Sequence, residues 1–385
     1  MSAPLHPAPA RTPPVLSWTE NTQACSAPWR SESAMPPPKR VVIGDDRLTA
    51  DSAYRLACEG TAILWRGDFQ NARQLLQAMA RRVDRKQRAP AATPIDAFNQ
   101  HRQMQSQRGR TLAMLLLQFG PGHQLALRRA PDVSAACNDA YGANDVGYIA
   151  SMRELLGVIG SHEWRKNGIE IAALKERIFP HYGVFAPIRS EYVALVAQAP
   201  LNKVRVAFDI GTGTGVLAAV LARRGVSQII GTDQDVRATR CAHQNINRLG
   251  LQDQVTIIEA DLFPEGRAQL VVCNPPWLPA RPSSPLEYAV YDPDSTMLCG
   301  FLNGLADHLA PGGEGWLILS DLAEHLGLRP RAQLLEWIAT AGLNVIDRQD
   351  VRPSHPKASD ATDPLHQARA AEITSLWRLG SSKPA

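Results

Sequence analysis

From Val204 onward, short apolar runs alternate along the chain with segments whose apolar residues recur at helical spacing. Such alternation is typical of βαβ units, so this half of the chain predicts an α/β domain with a mostly parallel sheet. After a first strand that begins at Val204 and ends at Asp209, the pattern predicts six more strands, at Gln228–Thr232, Val255–Ala260, Gln269–Cys273, Gly315–Ser320, Asn344–Asp350 and Ile373–Leu379.

The first half of the chain has a different pattern. Residues 1–40 are rich in proline and poor in large apolar side chains, which predicts a disordered tail. Residues 41–178 predict a mainly helical, basic domain, with two helices in Thr49–Arg82 and another at Ile169–Ile178. The catalytic domain is predicted to occupy residues 179–385.

Composition narrows the class of protein only a little. Hydrophobic residues make up 44% and charged residues 20% of 385 positions, with a net charge of +4, which is ordinary for a globular chain. No apolar run approaches the ~20 residues of a membrane helix. The six cysteines lack metal-type spacing. We therefore expect a cytoplasmic protein with no metal site and no membrane contact.

Arg81–Arg129 is strongly basic, with ten arginines and lysines singled out against Asp84 and Asp96. Two interpretations are open. The charges can form a solvated helix face, or they can form an electrostatic footprint for RNA. Only Phe98 and Phe119 could stack on bases in this stretch, which favours the first interpretation.

A glycine-rich turn follows the first strand of the second half. It reads Asp209-Ile210-Gly211-Thr212-Gly213-Thr214-Gly215, and a predicted helix begins at Val216. Glycines in a strand-to-helix turn let a ligand approach the backbone closely. The dinucleotide fingerprint requires a glycine where Val216 stands, so the spacing argues against a dehydrogenase.

Four successive strands are each followed by, or end in, a polar residue, namely Asp209, Asp233, Asp261 and Asn274. Ligands of open α/β sheets bind at these carboxyl ends. Asp233 lies where a carboxylate can accept both hydroxyls of a ribose. Asp261 can accept from an adenine amine, and Asp209 can orient the glycine turn or meet an ammonium group. The set predicts a nucleoside site along one edge.

Asn274-Pro275-Pro276-Trp277 carries the most specific chemistry in the sequence. An amide or aryl amine nitrogen is a poor nucleophile because its lone pair is delocalised. The Asn274 side-chain oxygen and the Pro275 carbonyl can accept both of its N–H bonds and aim the lone pair at a methyl donor. Pro276 stiffens the loop, and Trp277 offers a flat face to a planar target.

Together these motifs resemble the class I S-adenosylmethionine-dependent methyltransferases that modify planar nitrogens. The resemblance implies a Rossmann-like seven-stranded sheet, mostly parallel with an antiparallel carboxyl-terminal strand. It also implies S-adenosyl-L-methionine as cofactor. The residues implied to contact the cofactor are Asp209, Gly211, Thr212, Gly213, Thr214, Gly215, Asp233, Asp261, Leu262 and Asn274. The residues implied to act on the target are Asn274, Pro275, Pro276 and Trp277.

Within that group, Val184–Glu191 is loosely similar to a segment of the HemK/PrmC glutamine N5-methyltransferases, which act on peptide release factors. This similarity implies that Phe185, Pro187 and Arg189 contact the substrate. Trp277 stands where those enzymes mostly have tyrosine, and the long basic amino-terminal region does not match theirs.

The leading hypothesis is therefore methylation of a protein glutamine, in a translation factor or a ribosomal protein. The alternative is an exocyclic amine of a nucleic acid, at N6 of adenine or N2 of guanine, most readily in rRNA. A small-molecule amine and a non-catalytic cofactor-binding module are further readings.

Overall fold

The structure is a computed structural model that describes residues 13–85, 91–282, 285–353 and 360–382. The chain divides into two compact units, Met1–Arg88 with Gln105–Ile159, and Ala89–Met104 with Gly160–Ala385. The division at 159/160 precedes the predicted domain boundary after residue 178, and the short segment 89–104 belongs to the later unit. Among the described helices, none is both long and apolar enough to cross a membrane.

The first unit is a mixed α/β structure. Strands β3, β4, β5 and β6 form a sheet in that order, in which β6 alone runs antiparallel to its neighbour. Strands β1 and β2 form a separate antiparallel hairpin. The elements, two of which (α3 and α5) cross the bounds of the unit, are β1 (Val15–Glu20), β2 (Gln23–Pro28), β3 (Arg40–Gly44), α1 (Ala50–Cys58), β4 (Thr61–Trp65), α2 (Phe69–Asp84), α3 (Pro94–Leu112), β5 (Leu115–Phe119), α4 (Ser134–Tyr141), β6 (Tyr148–Ser151) and α5 (Met152–Asn167).

Two predictions for this part of the chain are wrong. Residues 15–28 form a hairpin rather than a disordered tail, because Leu16 and Trp18 alternate inward and are buried in an apolar cluster with Trp29. Residues 1–12 lie outside the described residues. The two helices predicted in Thr49–Arg82 are present as α1 and α2, but the prediction is wrong for Thr61–Trp65 between them, which is a strand buried on both faces and part of a sheet that the predicted helical domain did not include.

The second unit contains a seven-stranded sheet, which confirms the predicted fold class. Its order is β11-β10-β9-β12-β13-β15-β14, parallel except for β15, which runs antiparallel to both neighbours. The elements are β7 (Ile169–Ile171), β8 (Glu176–Ile178), α6 (Glu191–Gln198), β9 (Val206–Ile210), α7 (Val216–Arg223), β10 (Gln228–Asp233), α8 (Val236–Arg248), β11 (Val255–Glu259), β12 (Ala268–Cys273), α9 (Thr296–His308), β13 (Leu309–Ser320), α10 (Leu322–His325), α11 (Arg331–Thr340), β14 (Leu343–Val351), α12 (His366–Ala371) and β15 (Thr374–Ser381).

The segment Ile169–Ile178 is a hairpin of β7 and β8 instead of the predicted helix. Its turn places Lys175 at a φ of +54°, a left-handed conformation that a continuing helix does not contain. Ile171, Leu174 and Ile178 are buried in the core between the sheet and α6–α8. Their spacing fits a helix equally well, so tertiary packing decides the structure.

The carboxyl ends of strands β9, β10 and β12 lie side by side at one edge of the sheet. Strand β9 lies between β10 and β12, and the order of connection reverses there, which is where open α/β sheets bind ligands. Ile210 is level with Thr232 of β10 and with Cys273 of β12. The residues that follow these positions, Gly211, Asp233 and Asn274, therefore lie along the same edge.

Candidate active site

The turn after β9 requires glycine on steric grounds. Gly211, Gly213 and Gly215 have φ values of +70°, +55° and +79°, a region that side chains other than glycine enter at a cost. A Cβ at Gly211 would lie 2.6 Å from the terminal methyl of Met297. The Gly213 N–H donates to the Asp233 carboxylate at 3.1 Å. The turn therefore presents bare backbone beside a carboxylate.

Asp209 holds this turn from beneath. Its Oδ2 accepts from the Thr212 hydroxyl at 2.7 Å and from the Ala218 N–H at 3.1 Å. The side chain is buried, and burial raises its pKa to about 6. Two roles were predicted for Asp209, orienting the glycine turn or meeting an ammonium group, and these contacts favour the first. Asp209 and Gly215 are not among the residues that line the cavity above the turn.

That cavity has a volume of about 1350 Å³, and residues of the second unit line it. It brings together most of the predicted site residues. The predicted residues among its lining are Phe185, Arg189, Gly211, Thr212, Gly213, Thr214, Asp233, Asp261, Leu262, Asn274, Pro275, Pro276 and Trp277. Pro187 is buried and does not line it.

The two carboxylates along the edge differ in environment. Asp233, at the end of β10, accepts from the N–H groups of Gly213 and Asp235. Burial raises the pKa of this carboxyl group. A carboxylate has about four acceptor positions, so Asp233 keeps acceptor capacity for a ligand beside these backbone contacts. Asp261 is exposed at the rim, and the next residue, Leu262, has a φ of +66° and packs against Gly300.

The tetrad Asn274–Trp277 directly follows β12, and all four of its residues line the cavity. The Trp277 indole N–H donates to the Asn274 Oδ1 at 3.0 Å. An amide oxygen has two lone pairs, so one acceptor position remains for a target N–H. The Arg189 guanidinium lies 5.0 Å from the centre of the Trp277 ring. One face of the indole therefore packs against a cation rather than a planar target.

Two buried residues beside the tetrad were missed by the sequence analysis. Asp292 is buried, lines the cavity, and accepts from the N–H groups of Met297 and Leu298 at the start of α9. Burial raises its pKa. Arg329 is also buried and donates to the carbonyl oxygen of Trp277 at 3.3 Å. Asp292-Pro293 ahead of an apolar helix is a capping signal that could have identified Asp292.

An apolar wall closes one side of the cavity, and sequence reasoning did not find it. Phe98 of α3, Leu278 after the tetrad, Leu322 and Leu326 near α10, and Leu365 before α12 form one buried cluster. All five also line the cavity. These five residues come from four segments that are far apart in the sequence, so no local sequence pattern predicts that they meet.

Comparisons with known proteins agree with this architecture. The model of the family described as "Methyltransferase small domain" matches residues 177–327. A tRNA1(Val) (adenine(37)-N6)-methyltransferase of Shewanella loihica is 29% identical over 183 residues, which cover 45% of this chain and 72% of the relative. The enzyme of the same name from Pectobacterium carotovorum is 30% identical over 181 residues, or 44% of this chain and 71% of the relative.

A third relative carries a different name. A protein of Methanocaldococcus jannaschii, named as a protein N5-glutamine methyltransferase, is 26% identical over 162 residues, or 40% of this chain and 80% of the relative. The similarity to each of these relatives thus spans less than half of this chain and more than two thirds of theirs. The chain belongs to the methyltransferase small domain family of class I S-adenosylmethionine-dependent methyltransferases.

Proposed function

We propose that the protein transfers a methyl group from S-adenosyl-L-methionine to a planar NH2 nitrogen. The observation that carries this proposal is the position of Asn274, which lines the same cavity as the glycine turn and Asp233. A nucleoside donor on the turn and an N–H donor on Asn274 would then share one cavity.

The residues at the edge fit the proposed cofactor. The backbone of Gly211 and Gly213, which carries no side chain, lets a ligand approach the turn closely. Asp233 retains acceptor positions for the two ribose hydroxyls, and the exposed Asp261 can accept from the adenine amine. When bound, the cofactor supplies an electrophilic methyl group on a sulfonium.

The tetrad performs the positioning step. Asn274 Oδ1 and the Pro275 carbonyl accept the two N–H bonds of the target and direct the nitrogen lone pair toward the donor. These dipoles also stabilise the positive charge that develops on nitrogen. After transfer the nitrogen carries an acidic proton, which water can take, so the chain needs no strong base.

The cavity favours an aromatic amine over a glutamine amide as the target. Phe98, Trp277, Tyr288 and Tyr291 contribute aromatic rings to its lining, and aromatic side chains are the usual stacking partners of extruded bases. Its volume of about 1350 Å³ exceeds the ~300–1,000 Å³ of ordinary ligand pockets. A nucleobase beside the cofactor makes fuller use of such a space than an amide does.

Protein glutamine remains the second candidate, supported by the name of the Methanocaldococcus relative. The similarity at Val184–Glu191 supports it less than the sequence suggested. Arg189 is engaged with Glu191 and Glu372 at 2.7 and 3.0 Å, and Pro187 does not line the cavity. Arg189 lines the cavity, but its guanidinium is engaged in these ion pairs, and Pro187 is buried away from it.

The basic stretch does not decide between the two substrates. Arg82 pairs with Asp51 at 2.6 Å, Arg108 with Asp84 at 2.9 Å, and Arg129 with Asp68 at 2.6 Å. These ion pairs join positions within the first unit, and they favour the interpretation of the stretch as part of the folded surface. The proposal for nucleic acid therefore rests on the cavity.

The experiment uses tritiated S-adenosylmethionine and lysate from a strain that lacks the gene. Label that ribonuclease removes and protease leaves supports a base amine. Label with the opposite sensitivity supports protein glutamine. Label in small molecules alone, or no label above an Asn274→Ala control, contradicts a macromolecular target.

A further inference from the structure

Beyond the groups that face the cavity, a series of contacts links two buried carboxylates to Asn274. We infer that Glu372 and Glu191 are positioning residues for the Asn274 amide. They act through the side chains of Arg189 and Trp277. This inference rests on the proposed function, because it explains how the proposed acceptor of the target N–H is held in place.

The first link joins the carboxylates to a cation. Arg189 Nε donates to Glu191 Oε1 at 2.7 Å, and its Nη2 donates to Glu372 Oε1 at 3.0 Å. Glu191 is 7% exposed and Glu372 is 4% exposed. The Ser320 hydroxyl donates to the same Glu372 oxygen at 2.7 Å. Because two carboxylates accept from different nitrogens of one planar guanidinium, they fix its plane and position.

The second link joins this cation to the indole of the tetrad. The Arg189 guanidinium carbon lies 5.0 Å from the Trp277 ring centre, within the ~6 Å reach of a cation–π contact. Arg329, which is buried, donates to the Trp277 carbonyl. The Trp277 ring and backbone are thus held by two different arginines.

The third link sets the orientation of the amide. The oxygen and NH2 ends of an asparagine side chain have nearly the same shape, so a neighbouring donor or acceptor decides which end points where. The Trp277 N–H donates to Asn274 Oδ1. This donor favours the orientation in which the oxygen, with its remaining lone pair, can accept from a target. The reversed amide would present N–H groups to an N–H and repel it.

Glu372 lies almost one hundred residues beyond Asn274, between α12 and β15, and outside the segment that the family model matches. The same unit offers a matched pair for comparison. Glu314 and Arg378 form two hydrogen bonds of 2.7 and 2.8 Å, and the Trp316 N–H donates to Glu314. Neither residue of that pair lines the cavity.

The test compares Glu372→Gln and Arg189→Lys with Glu314→Gln as the control. Initial rates of tritium transfer from S-adenosylmethionine are measured against increasing amounts of lysate from the gene-deleted strain. We expect Glu372→Gln and Arg189→Lys each to lower the rate at saturating lysate by about 10- to 100-fold. The half-saturating lysate concentration and the calorimetric Kd for S-adenosylhomocysteine should change less than about twofold, because neither contact belongs to binding. Glu314→Gln should retain the wild-type rate.

A double-mutant cycle separates positioning from a general loss of stability. Trp277→Phe keeps an aromatic ring and removes the N–H donor. If Glu372 acts through Trp277, the Glu372→Gln/Trp277→Phe double variant should be within about twofold of the slower single variant. Effects that multiply would show that the two residues act independently, and the inference would be wrong.

A Glu372→Gln protein with a lower melting temperature and the wild-type rate would overturn the inference. If that variant does not fold, Arg189→Lys decides, since it keeps the charge and loses the fork. If Asn274→Ala itself transfers methyl groups at the wild-type rate, the proposed function fails first. If Asn274→Ala transfers methyl groups slowly while Glu372→Gln and Arg189→Lys both keep the wild-type rate, only the positioning inference fails.

Discussion

Asp209, beneath the glycine turn, is a buried carboxyl group, and we expect its replacement to change how the free energy of unfolding depends on pH. Its side chain is 1% exposed, and both of its hydrogen bonds, from Thr212 and Ala218, reach Oδ2. An asparagine can place its carbonyl oxygen at that position. Asp209→Asn therefore keeps both hydrogen bonds and removes the titrating group.

The magnitude follows from the pKa. Burial, with a smaller contribution from the charge of Asp233, raises the pKa of Asp209 from 3.8 to about 6. The folded state thus binds this proton more tightly than the unfolded state, so the stability it contributes below about pH 4 is lost as the pH rises through 6. At about 1.36 kcal/mol per pKa unit, the loss amounts to about 3 kcal/mol by pH 7.

Urea unfolding at pH 4, 5, 6 and 7 measures this effect as a difference between variant and wild type. The free energy of unfolding of Asp209→Asn, minus that of wild type, should rise by about 2.4 kcal/mol between pH 4 and pH 7, because at pH 4 the unfolded chain has already lost part of this proton. The exposed Asp253→Asn serves as a control, and its difference should stay within about 0.5 kcal/mol. A flat or falling difference for Asp209→Asn would refute the assignment of a buried, destabilised carboxylate.

Four further variants test the site and the fold. Asp233→Ala should weaken S-adenosylhomocysteine binding by about 1.5–3 kcal/mol in calorimetry; unchanged affinity would remove this residue from the cofactor site. Asn274→Ala should retain most of that affinity and lose most turnover, measured as tritium transfer. Gly213→Ala forces a side chain to a φ of +55° and should cost about 1–2 kcal/mol in urea unfolding, whereas an unaltered midpoint would contradict the strained geometry. Trp18→Ala removes a buried indole and should cost about 3–5 kcal/mol in urea unfolding, whereas a loss below about 1 kcal/mol would contradict the burial of the first hairpin.

The second half of the fold was predictable because its signals are local and agree with one another. The predicted strand Gln228–Thr232 differs by one residue from β10, and Val255–Ala260 by one from β11. The first half was harder. Leu64 and Trp65 belong to a strand with both faces buried, and a short apolar run of that kind carries no period to separate strand from helix.

The site divides in the same way. The ends of parallel strands meet at one edge of a sheet, so the sequence alone predicts that Asp233, Asp261 and the tetrad lie along that edge. Phe98 and Leu365 could not, because they reach the cavity only through tertiary packing. The partner of Asn274 Oδ1 was also unforeseen, since Trp277 was expected to offer a face and donates its N–H instead.

The most direct test of the central claim locates the methyl group on an atom. Lysate labelled with deuterated-methyl S-adenosylmethionine is digested to nucleosides and amino acids, and the products made by wild type and Asn274→Ala are compared by mass spectrometry. The account predicts a labelled N-methyl product, an exocyclic N-methyl nucleoside first and N5-methylglutamine second, that is made by wild type and lost in the variant. A methyl group on carbon or oxygen, or a product that Asn274→Ala forms equally well, would contradict it.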